Sequence, residues 1–391
     1  MDLLLKGLTW KHKTELIKGD IRVAKGVIQE TGVNLKPLRR DHVLHFSNHY
    51  LYPGLINSHD HLEMNLYPRL GNPPYQNYTQ WGADIYKPKE SPVKEIERVN
   101  PEDRLLWGGL KNLISGVTTV VHHNPWNRFL SSSDFPVRVL KKYAWAHSLG
   151  FGKNVSKSFP KDSRTPFVIH AAEGVDETAF AEINTLAELK LLKKNTVLVH
   201  AVAASEQNIE TLRASQTSVV WCPASNYFLF NQTAPIKELK NVVKIALGSD
   251  STLTGSSTLL DEIRFAAQTG LADHSELYNQ VTVNPATIFN LPQPAIETKG
   301  IADLFIVPIT RQDYIQNLIN TRPSSIVMVL VKGDLRLCDE SIATELDLKK
   351  YFAHVDGEQK WIFTDVQKLK KRIQIVAGKT VEANALWKLI N

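Results

Sequence analysis

Short apolar runs alternate with amphipathic segments through the middle of the chain, from about residue 52 to residue 308. This alternation predicts β-strands followed by helices, because parallel strands need crossover connections. Several runs are continuously apolar, as strands buried on both faces should be. The predicted strands are Tyr52–Ser58, Val117–His122, Val137–Ala146, Pro166–His170, Thr196–His200, Ser218–Cys222 and Val243–Leu247.

Helix-start signals lie between these runs. Asn100 is followed by a proline and two acids, which is typical of an N-cap, a first-turn proline and carboxylates near the positive end of a helix. Gly116 stands where that helix should end. Ser205 predicts a second start, and Asn284-Pro285 repeats the first signal. We therefore expect helices to begin at these three places.

Both ends of the chain carry short alternating runs, such as Asp20–Ala24, His42–Phe46 and Ile326–Val331. These runs predict strands outside the alternating region. Because domain termini often lie close together, we expect both ends to form one small β-sandwich. The expected division is residues 1–51 for the N-terminal part of the sandwich, 52–310 for a barrel, and 311–391 for the C-terminal part of the sandwich and a tail.

The middle of the predicted barrel is short. Only 46 residues separate His123 from His170, where a complete barrel should fit two strand–helix units. Gly150–Arg164 has the composition of a polar loop. The predicted fold is therefore a TIM-like (β/α)8 barrel. For residues 124–165 two alternatives stay open: a distorted or shortened barrel, or a strand too short to see.

Composition narrows the class of protein. The chain has 391 residues, of which 43% are apolar and 22% charged, as in ordinary folded proteins. Two cysteines, Cys222 and Cys338, exclude a disulfide scaffold and a cysteine-based zinc finger. No apolar run approaches the roughly 20 residues that span a bilayer. Met1–Trp10 lacks the features of a signal peptide, so a cytoplasmic protein without membrane contact is expected.

The net charge of +6 gives only a weak hint about the sign of a ligand. Its 46 basic residues are interspersed with 40 acidic ones, and nucleic-acid motifs are missing. We therefore expect a small-molecule substrate and no nucleic-acid partner.

The first candidate chemistry is a pair of histidines. His59 and His61 stand two residues apart at the end of an apolar run, so on a strand they would face the same side. Barrel enzymes place their chemistry at the carboxyl ends of strands, and imidazole suits zinc and Fe(II). On this motif alone, two merely polar residues at a strand end explain the pattern equally well.

Three further strands end in similar residues. His170 ends one run and has Glu173 three residues on, His200 ends the next, and Asp250 follows the last. Each residue alone could be a satisfied buried polar group. Four runs that end in His, His, His and Asp together predict one shared site.

The order H-x-H, H-x-x-E, a lone His and an Asp resembles the amidohydrolase superfamily. More narrowly, it is similar to the mononuclear branch that includes guanine, cytosine and S-adenosylhomocysteine deaminases and the triazine chlorohydrolases. The resemblance covers roughly Leu51–Pro308, and the flanking strands fit the composite sandwich of that superfamily. Supporting stretches are Gly116–Val121, Cys222–Asn226, Leu260–Ala266, Asn284–Thr287 and Gly300–Leu304.

The resemblance implies a role for each candidate residue. One divalent metal, zinc first with iron or manganese as alternatives, would be held by His59, His61, His170 and Asp250, with a position left for water. Glu173 would take the proton from that water and deliver it to the leaving group. His200 would bond the attacking water or polarise the substrate, and Asp250 would also assist in activating the water. One metal is favoured, because no clear strand four offers the bridging lysine of binuclear relatives.

A pocket wall is expected after the first strand. The loop Leu66–Pro88 is long and aromatic, which suits planar heterocycles; packing on the barrel rim or a subunit contact is the alternative. Its aromatic residues are Tyr67, Tyr75, Tyr78, Trp81 and Tyr86. Arg69 and Arg128 are the nearest cations for an acidic substrate group, although most such arginines are simply solvated. The short segment 124–165 leaves the roof of the pocket open to question.

Some residues depart from the superfamily pattern. Trp221 stands where many relatives have histidine, and it is expected in the core or the pocket wall. Cys222 is expected to be a buried apolar residue and not a nucleophile. His122 and His123 end the second predicted strand; a structural role is expected, and the alternative is that one of the pair faces the pocket.

The sequence therefore predicts a metal-dependent hydrolase of C–N bonds that deaminates an aminated heterocycle. Two alternatives stay open: hydrolysis of an amide, a cyclic amide or a carbon–halogen bond in the same site, or a non-catalytic metal-binding homologue. Metal should be lost as the pH falls below the effective imidazole pKa values. The sequence gives neither the substrate nor the native metal, and although homo-oligomers are common in the superfamily, it establishes none.

Overall fold

A computed structural model describes residues 1–152, 154–349 and 351–391. The strands are β1 (Asp2–His12), β2 (Glu15–Ala24), β3 (Val27–Gly32), β4 (Asp41–His45), β5 (His49–Pro53), β6 (Leu55–Asp60), β7 (Val117–His122), β8 (Arg138–Val139), β9 (Ala144–Ala146), β10 (Phe167–Ala171), β11 (Thr196–His200), β12 (Ser218–Trp221), β13 (Ile245–Leu247), β14 (Leu304–Pro308), β15 (Met328–Val331), β16 (Asp334–Asp339), β17 (Phe352–Val355) and β18 (Glu358–Ile362).

The helices are α1 (Tyr78–Ile85), α2 (Val93–Glu97), α3 (Pro101–Leu113), α4 (Val155–Ser158), α5 (Glu177–Glu188), α6 (Glu206–Ser215), α7 (Pro223–Phe230), α8 (Ile236–Leu239), α9 (Leu259–Thr269), α10 (His274–Gln280), α11 (Val283–Ile288), α12 (Tyr314–Asn320), α13 (Glu340–Glu345), α14 (Val366–Ala377) and α15 (Ala385–Leu389). Short 3-10 turns occur at Leu62–Met64, Arg128–Ser131, Pro323–Ser325 and Gly378–Ala383. Within the described residues, no helix has both the length and the apolar character that crossing a bilayer requires.

The central strands run parallel, as predicted. β6, β7 and β8 form one parallel sheet, and β9 to β13 form a second in chain order. The backbone amide of Asp250, just after β13, donates to the carbonyl of His59 at the end of β6 (3.1 Å). Valines and an alanine from successive strands pack together with Phe289 beneath them. The fold is thus mixed α/β with parallel sheets, as a TIM-like barrel requires.

The predicted run Val137–Ala146 is two very short strands. β8 pairs with β7, whereas β9 pairs with β10. The four residues between them, 140–143, are described and form no helix. The middle is therefore irregular where the sequence predicts it to be, because one connection lacks its crossover helix.

Strands from both chain ends meet in one ten-stranded sheet. Its order is β17-β18-β16-β15-β14-β5-β1-β2-β3, with β4 beside β1. The two ends join where β14 pairs antiparallel with β5. The predicted strand Tyr52–Ser58 is accordingly split at Gly54, whose amide donates to the carbonyl of Asp303 (2.7 Å). β5 belongs to this sheet and β6 to the central strands.

Two of the three predicted helix starts are confirmed. The Asn100 side chain accepts from the amide of Glu102 (2.8 Å) ahead of α3, and Ser205 forms a capping box at the start of α6. The third is wrong by two residues, because α11 begins at Val283 with Thr282 as its N-cap. The Asn284 side chain instead donates to the carbonyl of Ile245 (2.8 Å) and ties α11 to β13.

Candidate functional site

The structure brings the predicted site residues together at the carboxyl ends of the parallel strands. The ligand atoms of His59, His170 and His200 lie within 4.8 Å of one another, and so do those of His59, His61 and Asp250. All five side chains are buried. We refer to His59, His61, His170 and Asp250, which the sequence resemblance predicts to hold a metal, as the metal donors.

The distances between the metal donors suit a shared ion. The Nε2 atoms of His59 and His170 are 3.2 Å apart. Oδ1 of Asp250 lies 3.6 Å from Nε2 of His59 and 3.7 Å from Nε2 of His61. Two donors on one tetrahedral zinc would be separated by about 3.4 Å, so the spacing matches.

The protonation of His170 supports the same interpretation. Its Nδ1 lies 2.7 Å from the carbonyl oxygen of His147, so this nitrogen carries the hydrogen and Nε2 keeps a lone pair. That lone pair faces Nε2 of His59, whose Nδ1 has no hydrogen-bond partner among the described residues. A cation between the two Nε2 atoms would satisfy both, and a backbone carbonyl behind one ligand is typical of metal-bound histidine.

Asp250 is prepared as an anionic ligand. Its Oδ2 accepts from the hydroxyls of Ser225 (2.8 Å) and Thr254 (3.0 Å), which leaves Oδ1 for the histidines. Burial raises its pKa, but the hydrogen bond of His59, with the charges that His59 and the other histidines carry when they are protonated at low pH, holds the pKa well below its usual range. The carboxylate is therefore ionised near neutral pH.

The imidazoles are prepared as neutral ligands. Burial lowers the pKa of His59 to about 3, and it also lowers the pKa of His170 and of His200. Metal binding requires unprotonated nitrogen, so near neutral pH no proton has to be displaced from these three rings.

Glu173 and His200 lie beside the metal donors. Oε1 of Glu173 is 3.6 Å from Nε2 of His200, and Nδ1 of His200 faces the side-chain oxygen of Asn226 at 2.8 Å. Burial raises the pKa of Glu173 well above its usual range, and the charges of Asp250 and Glu182 add to the effect. A raised pKa makes a carboxylate a stronger base and lets the carboxyl group retain a proton that it has taken up.

A cavity of about 660 Å³ opens over these residues. The loop after the first strand supplies much of its wall, with Tyr67, Tyr78, Trp81 and Tyr86. The predicted aromatic wall is therefore present. Tyr75 is the exception, because its hydroxyl donates to the carboxylate of Asp84 (2.5 Å).

Neither predicted cation belongs to the cavity lining within the described residues. The Arg69 guanidinium packs on the ring of Phe228, 4.8 Å from its centroid, and donates to the carbonyl of Gly255 (2.9 Å). Arg128 begins a 3-10 turn. The cavity is lined instead by Arg104 of α3, which sequence reasoning missed because a lysine- and arginine-bearing helix gives no sign of which cation faces inward.

α1 and two residues of the shortened middle, His147 and Phe151, line the cavity, and we refer to α1 with residues 147–152 as the roof of the pocket. The Tyr78 hydroxyl joins the two parts, because it accepts from the amide of Gly150 (2.9 Å) and donates to the carboxylate of Glu182 (2.9 Å). Phe151 packs edge-on against the Tyr78 ring, with 5.4 Å between centroids.

His147 is a site residue that sequence reasoning missed. Its carbonyl orients His170, and its ring lines the cavity. The signal was available, since His147 ends a short apolar run just as His170 and His200 do. His123 is buried against the site, with its ring stacked on His170 at 4.3 Å between centroids, and its Nε2 faces the carbonyl of Ala146 (2.9 Å).

The expected core residues are in the core. Trp221 is buried, and its indole N–H donates to the Thr233 hydroxyl (2.7 Å). Cys222 is a buried free cysteine whose pKa is raised well above its usual range by burial. Neither residue is placed to attack a substrate.

Comparison with known sequences supports the resemblance of the motifs. The sequence profile described as "Amidohydrolase family" matches residues 143–336. A 5-methylthioadenosine/S-adenosylhomocysteine deaminase of Pyrococcus furiosus is 26% identical over 383 residues, covering 81% of this chain and 88% of that protein. The enzyme of the same name from Caldicellulosiruptor saccharolyticus is 22% identical over 412 residues, covering 88% and 95%.

Solved structures share the fold. A zinc-bound adenosine deaminase of Xanthomonas campestris superposes with a TM-score of 0.69 at 18% identity, covering 97% of this chain and 98% of that one. Atrazine chlorohydrolase of Arthrobacter aurescens complexed with zinc gives 0.73 at 15% identity, covering 96% and 100%. The chain is thus similar to metal-dependent hydrolases of the amidohydrolase superfamily, and the resemblance of its motifs to that superfamily is confirmed.

Proposed function

We propose that this protein is a metal-dependent aminohydrolase, which uses water to remove the amino group of an aminated heterocycle. The observation that carries the proposal is that His59 shares one cluster of ligand atoms with His61 and Asp250 and another with His170 and His200, beside the buried Glu173 and under one aromatic-walled cavity. The names of the related proteins point the same way, since they are deaminases of adenosine-type molecules.

The metal donors would hold one divalent ion. Three imidazoles and one carboxylate suit zinc, and the structures of two similar proteins contain zinc. Iron and manganese are alternatives that also accept these ligands. When bound, the ion would lower the pKa of a water toward roughly 7 and so supply hydroxide at neutral pH.

Glu173 and His200 would carry the proton chemistry. Glu173 takes a proton from the attacking water and returns it to the departing amino group, so that the C–N bond breaks and ammonia leaves. Burial raises the pKa of Glu173, which makes its carboxylate a stronger base toward the water and favours retention of the proton until the amino group leaves. His200, oriented by Asn226, would form a hydrogen bond with the attacking water or polarise the substrate. Asp250 would assist in removing the water proton.

The overall architecture is part of this proposal. We infer that β6 to β13 close into a TIM-like barrel, which the Asp250–His59 backbone bond supports. Four features stay predictions: the two-layered sandwich, the domain borders at residues 51 and 310, the cytoplasmic location and the homo-oligomer.

Glu173→Gln tests the proposed role of the carboxyl group. Ammonia release from aminated purines, pyrimidines and triazines is measured for the unaltered protein and the variant, beside Glu177→Gln on α5 as a control. We expect Glu173→Gln to lose about 10²–10⁴-fold in kcat while its metal content stays unchanged, because an amide cannot shuttle the proton.

Full activity of the Glu173→Gln variant would contradict its role. Halide or carboxylate release without ammonia would replace deamination by one of the alternative hydrolyses.

A further inference from the structure

A buried ion pair lies directly behind the metal donors. Nζ of Lys111, on α3, is 3.3 Å from Oδ2 of Asp60, and both side chains are fully buried. Asp60 stands between His59 and His61 on the strand, so its side chain points away from theirs. The ion pair therefore fastens α3 to the outer side of the strand that presents two metal donors.

Lys111 also contacts the backbone of Asp250. Its ammonium donates to the carbonyl oxygen of Asp250 at 2.6 Å. Asp250 has a φ of +51°, in the left-handed region that is unfavourable for most side-chain-bearing residues. The amide of Asp250 is held at the same time by the carbonyl of His59 (3.1 Å). These two bonds clamp Asp250 in a conformation that turns its carboxylate toward the histidines.

Asparagines complete the surroundings of this ion pair. Oδ2 of Asp60 accepts from Asn112 (2.8 Å), and its Oδ1 accepts from Asn65 (2.7 Å). Asn57 donates to the hydroxyl of Ser249 (2.8 Å) and accepts from the amide of Ser249 (3.1 Å). A buried network whose members are paired in this way is rigid and specifies one arrangement. It joins β6 to the loop that carries Asp250.

We propose that Lys111 is a positioning residue of the metal centre. Its ammonium fixes the backbone of Asp250 so that Oδ1 faces His59 and His61, and Asp60 neutralises the buried charge that this requires. Lys111 touches neither substrate nor metal, so it acts through Asp250. The inference rests on the proposed metal site and adds a residue on a helix outside it.

The test uses a double variant, because Lys111→Met alone would leave the Asp60 carboxylate buried without a counter-charge. Asp60→Asn/Lys111→Met removes both charges together. Asp60→Asn alone is the matched control: it leaves the Lys111 ammonium without its counter-charge and should therefore lower the melting temperature, but it keeps the bond from Lys111 to Asp250. Thermal unfolding, zinc affinity by competition with a chromophoric chelator, kcat and KM are measured for each.

We expect the double variant to unfold cooperatively but to bind zinc at least ten-fold more weakly, with a kcat at least ten-fold lower and a KM within about three-fold. Asp60→Asn should keep its zinc affinity within about three-fold. If the double variant does not fold, Asp60→Asn/Lys111→Gln replaces it. The glutamine side chain is one bond shorter than that of lysine, so its amide does not reach the carbonyl of Asp250. The same losses of zinc affinity and kcat are expected.

Unchanged zinc affinity in the double variant, or an equal loss in Asp60→Asn, would overturn the positioning role while leaving the proposed function intact. Failure of the unaltered protein to bind zinc would overturn the proposed function, and this inference with it.

Discussion

Two buried glutamates in this protein have different surroundings at the scale of single residues. Glu173 borders the cavity beside His200, where a proton can be exchanged with a substrate. Glu262, on α9, is fully buried; Oε1 accepts from the amide of Ala224 (2.9 Å), and Oε2 has no partner in the part of the chain that the structure describes. Burial raises the pKa of both glutamates. Glu173 lies where its proton can be used in a reaction, whereas ionising Glu262 costs free energy that destabilises the folded protein.

Glu262→Gln should change how stability depends on pH. Burial raises the pKa of Glu262 to about 7, so the folded protein keeps this proton at pH values where the unfolded chain has released it. The stabilising contribution is complete below the unfolded pKa of about 4.3 and is lost as the pH rises through about 7. Urea unfolding between pH 5 and 8 should show the free energy of unfolding of the unaltered protein falling relative to the variant, by up to roughly 3 kcal/mol.

The difference in unfolding free energy between the unaltered protein and Glu262→Gln reports on Glu262 alone, because the buried histidines titrate in both proteins. Glu210→Gln, at an exposed position on α6, is the control and should follow the unaltered protein. Parallel curves for Glu262→Gln and the unaltered protein would show that Glu262 is ionised in the folded state at no cost.

Single residues could be predicted where their role follows from local sequence. His59, His61, His170, His200 and Asp250 all follow apolar runs, so parallel strands bring them to one end. Lys111 could not be predicted, because a lysine on a helix usually faces solvent and its burial depends on Asp60 lying opposite in the folded protein. Arg104 was missed for a similar reason.

At the scale of elements, the roof of the pocket depends on one hydroxyl between α1 and the 147–152 segment. A Cβ atom added to Gly150 would lie 2.5 Å from the Tyr78 oxygen, so Gly150→Ala must displace that hydroxyl from its two hydrogen bonds. Losing a neutral hydrogen bond costs about 1 kcal/mol, which corresponds to roughly a five-fold change in an equilibrium.

Gly150→Ala should therefore raise KM by about three- to ten-fold and leave zinc affinity unchanged. Steady-state kinetics and chelator competition measure the two effects. Tyr78→Phe is the matched variant, since it removes the same hydroxyl without adding volume, and it should raise KM similarly. An unchanged KM in both variants would mean that the roof does not contact the substrate.

Elements were predictable where one local rule decides them. Asn100 and Ser205 cap helices because their side chains satisfy free amides of the first turn. One apolar run is divided at Gly54 into β5 and β6 because β14, which is distant in sequence, pairs with the first half. The hydropathy of the run does not show this division. β8 and β9 are separated in the same way, since each pairs with a different neighbour.

At the scale of the whole molecule, the two chain ends and the central strands support one site. β5 joins the terminal sheet and continues, past Gly54, into the strand that carries His59 and His61. The relatives match most of the chain's length, and the solved structures share its fold. Fold class was predictable from the repeated strand–helix pattern, whereas the substrate depends on loops whose geometry the pattern does not determine.

Metal stoichiometry tests the central claim most directly. Elemental analysis of the purified protein, after reconstitution with zinc, iron or manganese in turn, is compared with a His59→Ala/His61→Ala variant. We predict about one equivalent of metal in the unaltered protein and a loss of most of it in the variant, because two of the four metal donors are gone. No bound metal under any of these conditions would contradict the account, and two equivalents would make His200 a ligand and contradict a mononuclear site.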